Sequence, residues 1–184
     1  MPVPSAEKKQ ALVAAAKAQV ESLEERGVRI VGTATSPIVL GKGELNEAER
    51  GGGELLAGPD GTALRACLSK LGFAPEDFCG LACSTTDGAP LGLDLFREAL
   101  ETLDPEAVVV LDNTARDLVR ECYADALVVI DDFDTAMLKP GLVAPVLGRR
   151  VLALDGFEAA LSDKAEKQRM WAYLKQIKPA AAPY

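Results

Sequence analysis

Apolar runs of strand length alternate with helical stretches along this chain, and that alternation narrows the fold more than any other feature. The runs are Val28 to Gly32 (VRIVG), Phe78 to Ser84 (FCGLACS), Ala107 to Leu111 (AVVVL), Ala126 to Ile130 (ALVVI) and Arg150 to Leu154 (RVLAL). Between them lie segments with helical spacing: Ser5 to Arg26, Gly61 to Leu71, Leu91 to Leu103, Asn113 to Cys122 and Phe157 to Ile177. Runs such as AVVVL have no polar alternation, the pattern of strands covered on both faces. Strands alternating with helices predict a three-layer α/β/α sandwich around a mostly parallel central sheet. No repeat or linker divides the 184 residues, so residues 1–184 read as a single domain. The tail at about 179–184 (PAAAPY) reads as frayed. The helix stripe expected to face inward at the N-terminus is Leu12, Ala15, Ala16, Val20 and Leu23.

Thr33 to Pro59 reads as one long glycine-marked connection, and Leu138 to Gly148 as a second irregular one. Loops of the first length inside a compact domain are usually functional.

Composition excludes several kinds of chemistry. The chain has no histidine, so the usual general base and the commonest metal ligand are missing. Catalysis would have to run on carboxylates, lysine, cysteine or tyrosine. Net charge is −8, which argues against tight non-specific nucleic-acid binding; only Arg149 and Arg150 are adjacent. No apolar run is long enough to span a membrane, and MPVPSAEKKQ has no apolar core of a secretory signal. The expected location is the cytoplasm. Cys67, Cys79, Cys83 and Cys122 fit no zinc spacing and read as reduced, buried thiols.

Gly53 to Gly72 reads GELLAGPDGTALRACLSKLG. It resembles the Gly-Arg-Pro-Phe-Val-Gly loop and following helix of the uracil-DNA glycosylase superfamily, the small iron–sulfur type in particular. The resemblance extends in order and spacing over nearly the whole chain, including a last helix bearing Trp171. It implies a four-stranded mostly parallel central sheet and an N-glycosyl hydrolase ancestry. It also implies degenerate chemistry. The acidic residue after the first strand falls on Thr33, within Gly32-Thr33-Ala34-Thr35-Ser36-Pro37. The stacking Phe falls on Leu56, the base-reading Asn on Leu81, and the leaving-group His on Phe157, with Gly156 one step away. Leucine cannot bond a uracil edge and phenylalanine cannot donate to an oxyanion; removing one such donor typically costs about 10²–10³ in rate. The iron–sulfur type carries a Cys-x-x-Cys pair before the first strand. This chain has no cysteine before Cys67, so no iron–sulfur cluster is expected.

The favoured expectation is therefore a uracil-DNA glycosylase-like protein that has lost base excision and binds an unidentified ligand or protein partner. Its expected pocket comprises Gly32, Thr33, Ala34, Ser36, Gly58, Asp60, Asp112, Asn113 and Asp155. A second reading keeps an active hydrolase with relocated carboxylates, drawn from Glu44, Glu47 or Glu54 with Asp112 and Asp155. A third is a Mg²⁺-dependent α/β hydrolase whose strand-end aspartates Asp112, Asp132 and Asp155 converge on the metal. Against it, Asp112 sits where a helix N-cap belongs, Asp155 with Glu158 has capping-box spacing, and Asp131, Asp132 and Asp134 suit a solvated loop. Ser84-Thr85-Thr86 follows a strand and could touch an anion, although a turn is the plainer reading.

Overall fold

Hydrophobic parity along the strands organises the molecule. A computed structural model describes residues 5–180. The strands are β1 (Ile30–Gly32), β2 (Ile38–Lys42), β3 (Cys79–Ala82), β4 (Ala107–Val110), β5 (Val143–Val146) and β6 (Arg149–Ala153). They form a six-stranded mixed sheet in the order β1-β3-β2-β4-β6-β5. The inner strands β3, β2, β4 and β6 are mutually parallel, and β1 and β5 close the two edges antiparallel.

The helices are α1 (Ser5–Glu25), α2 (Glu47–Arg50), α3 (Pro59–Leu71), α4 (Leu93–Leu103), α5 (Asn113–Cys122), α6 (Ala124–Leu127), α7 (Phe133–Ala136), α8 (Phe157–Ala160) and α9 (Lys164–Leu174). Successive strand residues point to opposite faces. Val39, Val108, Val110, Val151 and Ala153 enter one core with Leu23, Phe96, Leu100 and Val119. Ile38, Leu40, Val109, Leu152 and Leu154 enter the other with Leu64, Leu68, Met170 and Leu174. Helices thus cover both faces, α1, α4 and α5 on one and α3, α8 and α9 on the other.

The sheet is wider than the four strands expected, and two of its strands come from stretches that read as loops. Ile38–Lys42 lies inside the long connection, yet all five of its residues are buried. The second irregular stretch contributes β5, a short edge strand that tolerates Pro145. Conversely ALVVI is no strand. Leu127 closes α6 and is buried, while Val128 and Val129 remain 78% and 76% exposed. A short apolar run carries no period to distinguish these outcomes. The closing helix is interrupted: Asp163 accepts a hydrogen bond from the Glu166 N–H and starts α9 afresh. Along α1 only Leu23 is buried, and Leu12 stays 72% exposed. Residues 181–184 of the tail lie outside the described residues.

The parallel strands taken in chain order are β2, β3, β4 and β6, so their spatial order is 2-1-3-4. Chain direction away from the centre reverses between β2 and β4. In sheets of this kind ligands bind outside the carboxyl ends at that switch point. The carboxyl ends there are Lys42 and Val110, followed by Gly43-Glu44 and Leu111-Asp112.

Candidate functional site

A lysine stands at that switch point. Lys42 has the parity of Ile38 and Leu40, so it leaves the sheet on the α3 face, where its side chain is 2% exposed. Its Nζ donates to Glu49 Oε1 at 2.6 Å, to Asp60 Oδ2 at 2.5 Å and to Glu158 Oε2 at 2.9 Å. Three elements deliver these carboxylates. Glu49 comes from α2, whose capping box with Asn46 fixes it: Asn46 N–H donates to Glu49 Oε1 while Glu49 N–H donates to Asn46 Oδ1. Asp60 comes from the first turn of α3, where the positive helix end favours a carboxylate. Glu158 comes from α8, and its other oxygen accepts from Asn46 Nδ2 at 3.1 Å.

The backbone around the cluster is shaped to fit. Leu56 N–H donates to Glu49 Oε2 at 2.8 Å. That places Leu56 at φ 58, a left-handed conformation costly for a leucine. Gly61 then passes so close that a Cβ there would sit 1.7 Å from the Leu56 carbonyl oxygen.

Burial is the largest single influence on the Lys42 ammonium and pulls its pKa down. The hydrogen bonds to Asp60, Glu49 and Glu158 together outweigh it and hold the group well above the ordinary lysine value. A nucleophilic or Schiff-base lysine needs the opposite shift. Lys42 is a fixed internal cation.

A cavity of about 290 Å³ opens beside the cluster, lined by Lys42, Glu44, Asp60, Asp112, Phe157 and Glu158 among others. Asp112 borders it and serves the backbone. Its Oδ2 accepts from the Gly43 and Glu44 N–H groups at 3.0 and 2.9 Å, and its Oδ1 caps α5 through the Ala115 N–H at 2.9 Å. Asn113 follows as an exposed first helical residue.

The expected pocket residues divide between the two ends of the sheet. β1 runs antiparallel to β3 with Gly32 opposite Cys79, so Gly32, Thr33, Ala34 and Ser36 lie at the amino ends of the parallel strands. Thr33 N–H donates to the Phe78 carbonyl there, and Ser36 Oγ donates to the Ile38 carbonyl. These four residues are not part of the switch-point site. Gly58 precedes α3, and Asp60, Asp112 and Asp155 belong to the carboxyl end.

The four degenerate positions do not form one constellation either. Leu56 and Phe157 belong to the α3-side core, whereas Leu81 points into the opposite one. The β3 residue on the Lys42 face is Ala82, which is also its register partner. The carboxyl end of the first parallel strand is Gly41-Lys42-Gly43, so a strand-end comparison moves from Thr33 to Lys42.

The proposed metal aspartates do not converge. Asp112 already accepts from three backbone N–H groups, and Asp155 pairs with Arg169 at 3.0 Å. Asp132 caps α7 through Thr135, away from any strand end. Nor does Asp155 form the capping box read from its spacing: α8 starts at Gly156 with no side-chain cap, and Glu158 turns to Lys42. Among the described residues, the one group of carboxylates close enough to share an ion is Glu49, Asp60 and Glu158, and the Lys42 ammonium already binds all three. Of the loop glutamates, Glu44 borders the cavity, while Glu47 and Glu54 are exposed and do not line it.

Arg149 is also accounted for structurally. It is 8% exposed and bonds Glu101, Asp104 and the Pro105 carbonyl, so the only adjacent arginine pair offers no phosphate grip. The four cysteines are free, and Cys79 and Cys83 share one core as their spacing required. Among the described residues no helix is long and apolar enough to cross a membrane.

Sequence reasoning passes over Lys42 and Glu49 and reads Glu158 only as a capping partner of Asp155. The usable signal was IVLGK, an apolar run ending in a lysine between two glycines. No protein-family model and no curated protein matches the chain.

Proposed function

We propose that this chain is a uracil-DNA glycosylase-like α/β/α sandwich that no longer excises bases and instead binds a ligand at the switch-point cavity. One observation carries the reading: the Lys42 ammonium is bound by Glu49, Asp60 and Glu158. Hydrolysis of a glycosidic bond needs a carboxylate free to orient water, or donors free to meet charge on the leaving base. Here three carboxylates are held by one internal ammonium, and Asp112 accepts from three backbone N–H groups. Leu56 and Phe157 offer no hydrogen bonds to a base edge. The absence of histidine removes the remaining common donor.

The test is incubation of excess protein with single- and double-stranded oligonucleotides containing one uracil, followed by alkali treatment. The reading expects strand breaks no more frequent than without protein. Uracil release that disappears in Glu44→Gln would overturn it, since Glu44 is the cavity carboxylate held neither by Lys42 nor by backbone N–H groups.

A further inference from the structure

A second cavity, of about 590 Å³, lies on the other side of the Gly43-Glu44 turn, walled by Arg29, Gly43, Glu44, Leu45, Arg50, Ser84, Thr86 and Gly88. Two features set its chemistry. The first is a pair of guanidinium groups that meet no carboxylate among the described residues. Arg29 is held in place by carbonyls: Nη1 donates to Glu49 O at 3.1 Å and Nη2 to Gly53 O at 2.8 Å. That leaves its Nε–H and the second N–H of each terminal nitrogen. Arg50 uses its Nε–H on the Asn46 carbonyl at 3.5 Å, which leaves both terminal nitrogens. The second feature is Ser84 Oγ, which is buried and has no hydrogen-bond partner; no other buried side-chain polar atom among the described residues is in that position. Leaving a buried hydroxyl unpaired is unfavourable, so such a group calls for a partner.

We propose that this cavity binds a small phosphorylated ligand, its phosphate gripped by Arg29, Arg50 and the Thr86 hydroxyl, with the shielded Ser84 hydroxyl turning to meet it on binding. Planar guanidinium forks match phosphate oxygens, and hydroxyls supply the remaining contacts. The volume exceeds a phosphate group and suits a ligand of nucleotide size. Glu44 on the wall carries the opposing charge, but it accepts from the Thr114 hydroxyl at 3.4 Å, on the α5 side. The net charge of −8 favours a small ligand over a nucleic-acid strand as the source of the phosphate. The inference does not depend on whether the Lys42 cavity excises bases.

The experiment titrates inorganic phosphate, then a nucleoside monophosphate, at constant ionic strength, and reads the arginine side-chain and backbone N–H signals by NMR. Saturable shifts are expected at Arg29, Arg50 and residues 84–88, with Val128 and Phe133 unmoved. Arg50→Gln, an exposed position, should weaken binding by roughly tenfold or more, as loss of a charge-assisted contact does. Ser84→Ala removes a hydroxyl with no partner in the fold, so it should weaken binding without loss of thermal stability. An oligonucleotide lacking terminal phosphates should not compete. Linear, unsaturated shifts, or binding indifferent to both variants, would overturn the proposal. Tighter, Arg50-dependent capture of the oligonucleotide would refute the small-ligand source.

Discussion

Replacing Lys42 with methionine keeps most of the aliphatic stem and removes the ammonium. Glu49 and Asp60, whose side chains are 2% and 1% exposed, then face each other without a cation. Glu158 is 36% exposed and can be resolvated. Removing one partner of a buried pair costs about 3–5 kcal/mol, because the remaining charge is uncompensated. A partly exposed partner adds about 0–1 kcal/mol. With a urea dependence of about 2 kcal/mol per molar, Lys42→Met should lower the unfolding midpoint by about 1.5–3 M near neutral pH. Urea unfolding of both proteins at pH 7 measures this. A loss under about 1 kcal/mol would refute the description of Lys42 as the cation that holds this cluster together.

Other outcomes follow from single contacts. Millimolar Ca²⁺ should stabilise Lys42→Met and leave the parent unchanged, because the vacated carboxylate oxygens lie within 4.8 Å of one another; equal thermal shifts would contradict this. Asp112→Asn should cost about 1–3 kcal/mol through the lost acceptor for backbone N–H groups, with Mg²⁺ making no difference to either protein's melting temperature. Gly61→Ala should destabilise by about 3 kcal/mol or more despite alanine's better helix propensity, since its Cβ would fall 1.7 Å from the Leu56 oxygen; chemical denaturation measures it. Burial pushes the Cys79 thiol up to about 12 and raises Cys83 as well, so both stay protonated in the fold while unfolded thiols ionise. Stability from this source is complete below the ordinary thiol value of about 8.5 and falls above it by at most about 1.4 kcal/mol per pH unit per thiol. Unfolding midpoints from pH 8 to 10 would reveal the slope, and Cys79→Ala with Cys83→Ala should lessen it, the rest coming from Cys122 and Cys67, whose thiols burial also raises.

How far the sequence could be read depended on whether a signal was local. AVVVL and the 150–154 run declared buried strands because continuous apolar residues bounded by turns suit a strand covered on both faces. Gly72 and Asp112 declared helix ends because αL and side-chain caps are properties of neighbouring residues. IVLGK stayed hidden because glycine 41 and lysine 42 carry no strand propensity; β2 exists because β3 and β4 pair with it on both sides. Without β2, the sequence offers β1 as the first parallel strand, whereas β1 is antiparallel and puts the candidates around Thr33 at the amino ends of the parallel strands. ALVVI misled in the other direction: Tyr123 and Leu127 satisfy the core, and Val128 and Val129 are left outside it. The Lys42 cluster gathers residues 42, 49, 60 and 158, and no spacing rule links a strand end to a helix more than a hundred positions later.

The account turns on Lys42 as a permanent occupant of the switch point, and the state of its side chain can be observed directly. Reductive methylation with ¹³C-formaldehyde, followed by NMR, reads both accessibility and charge of each lysine. Lys42 should remain unmodified under native conditions, react once the protein is unfolded in urea, and show in selectively labelled protein no titration of its ε-methylene up to about pH 10, below the ordinary lysine value. Methylation at the rate of surface lysines, or titration well below that pH, would contradict the account.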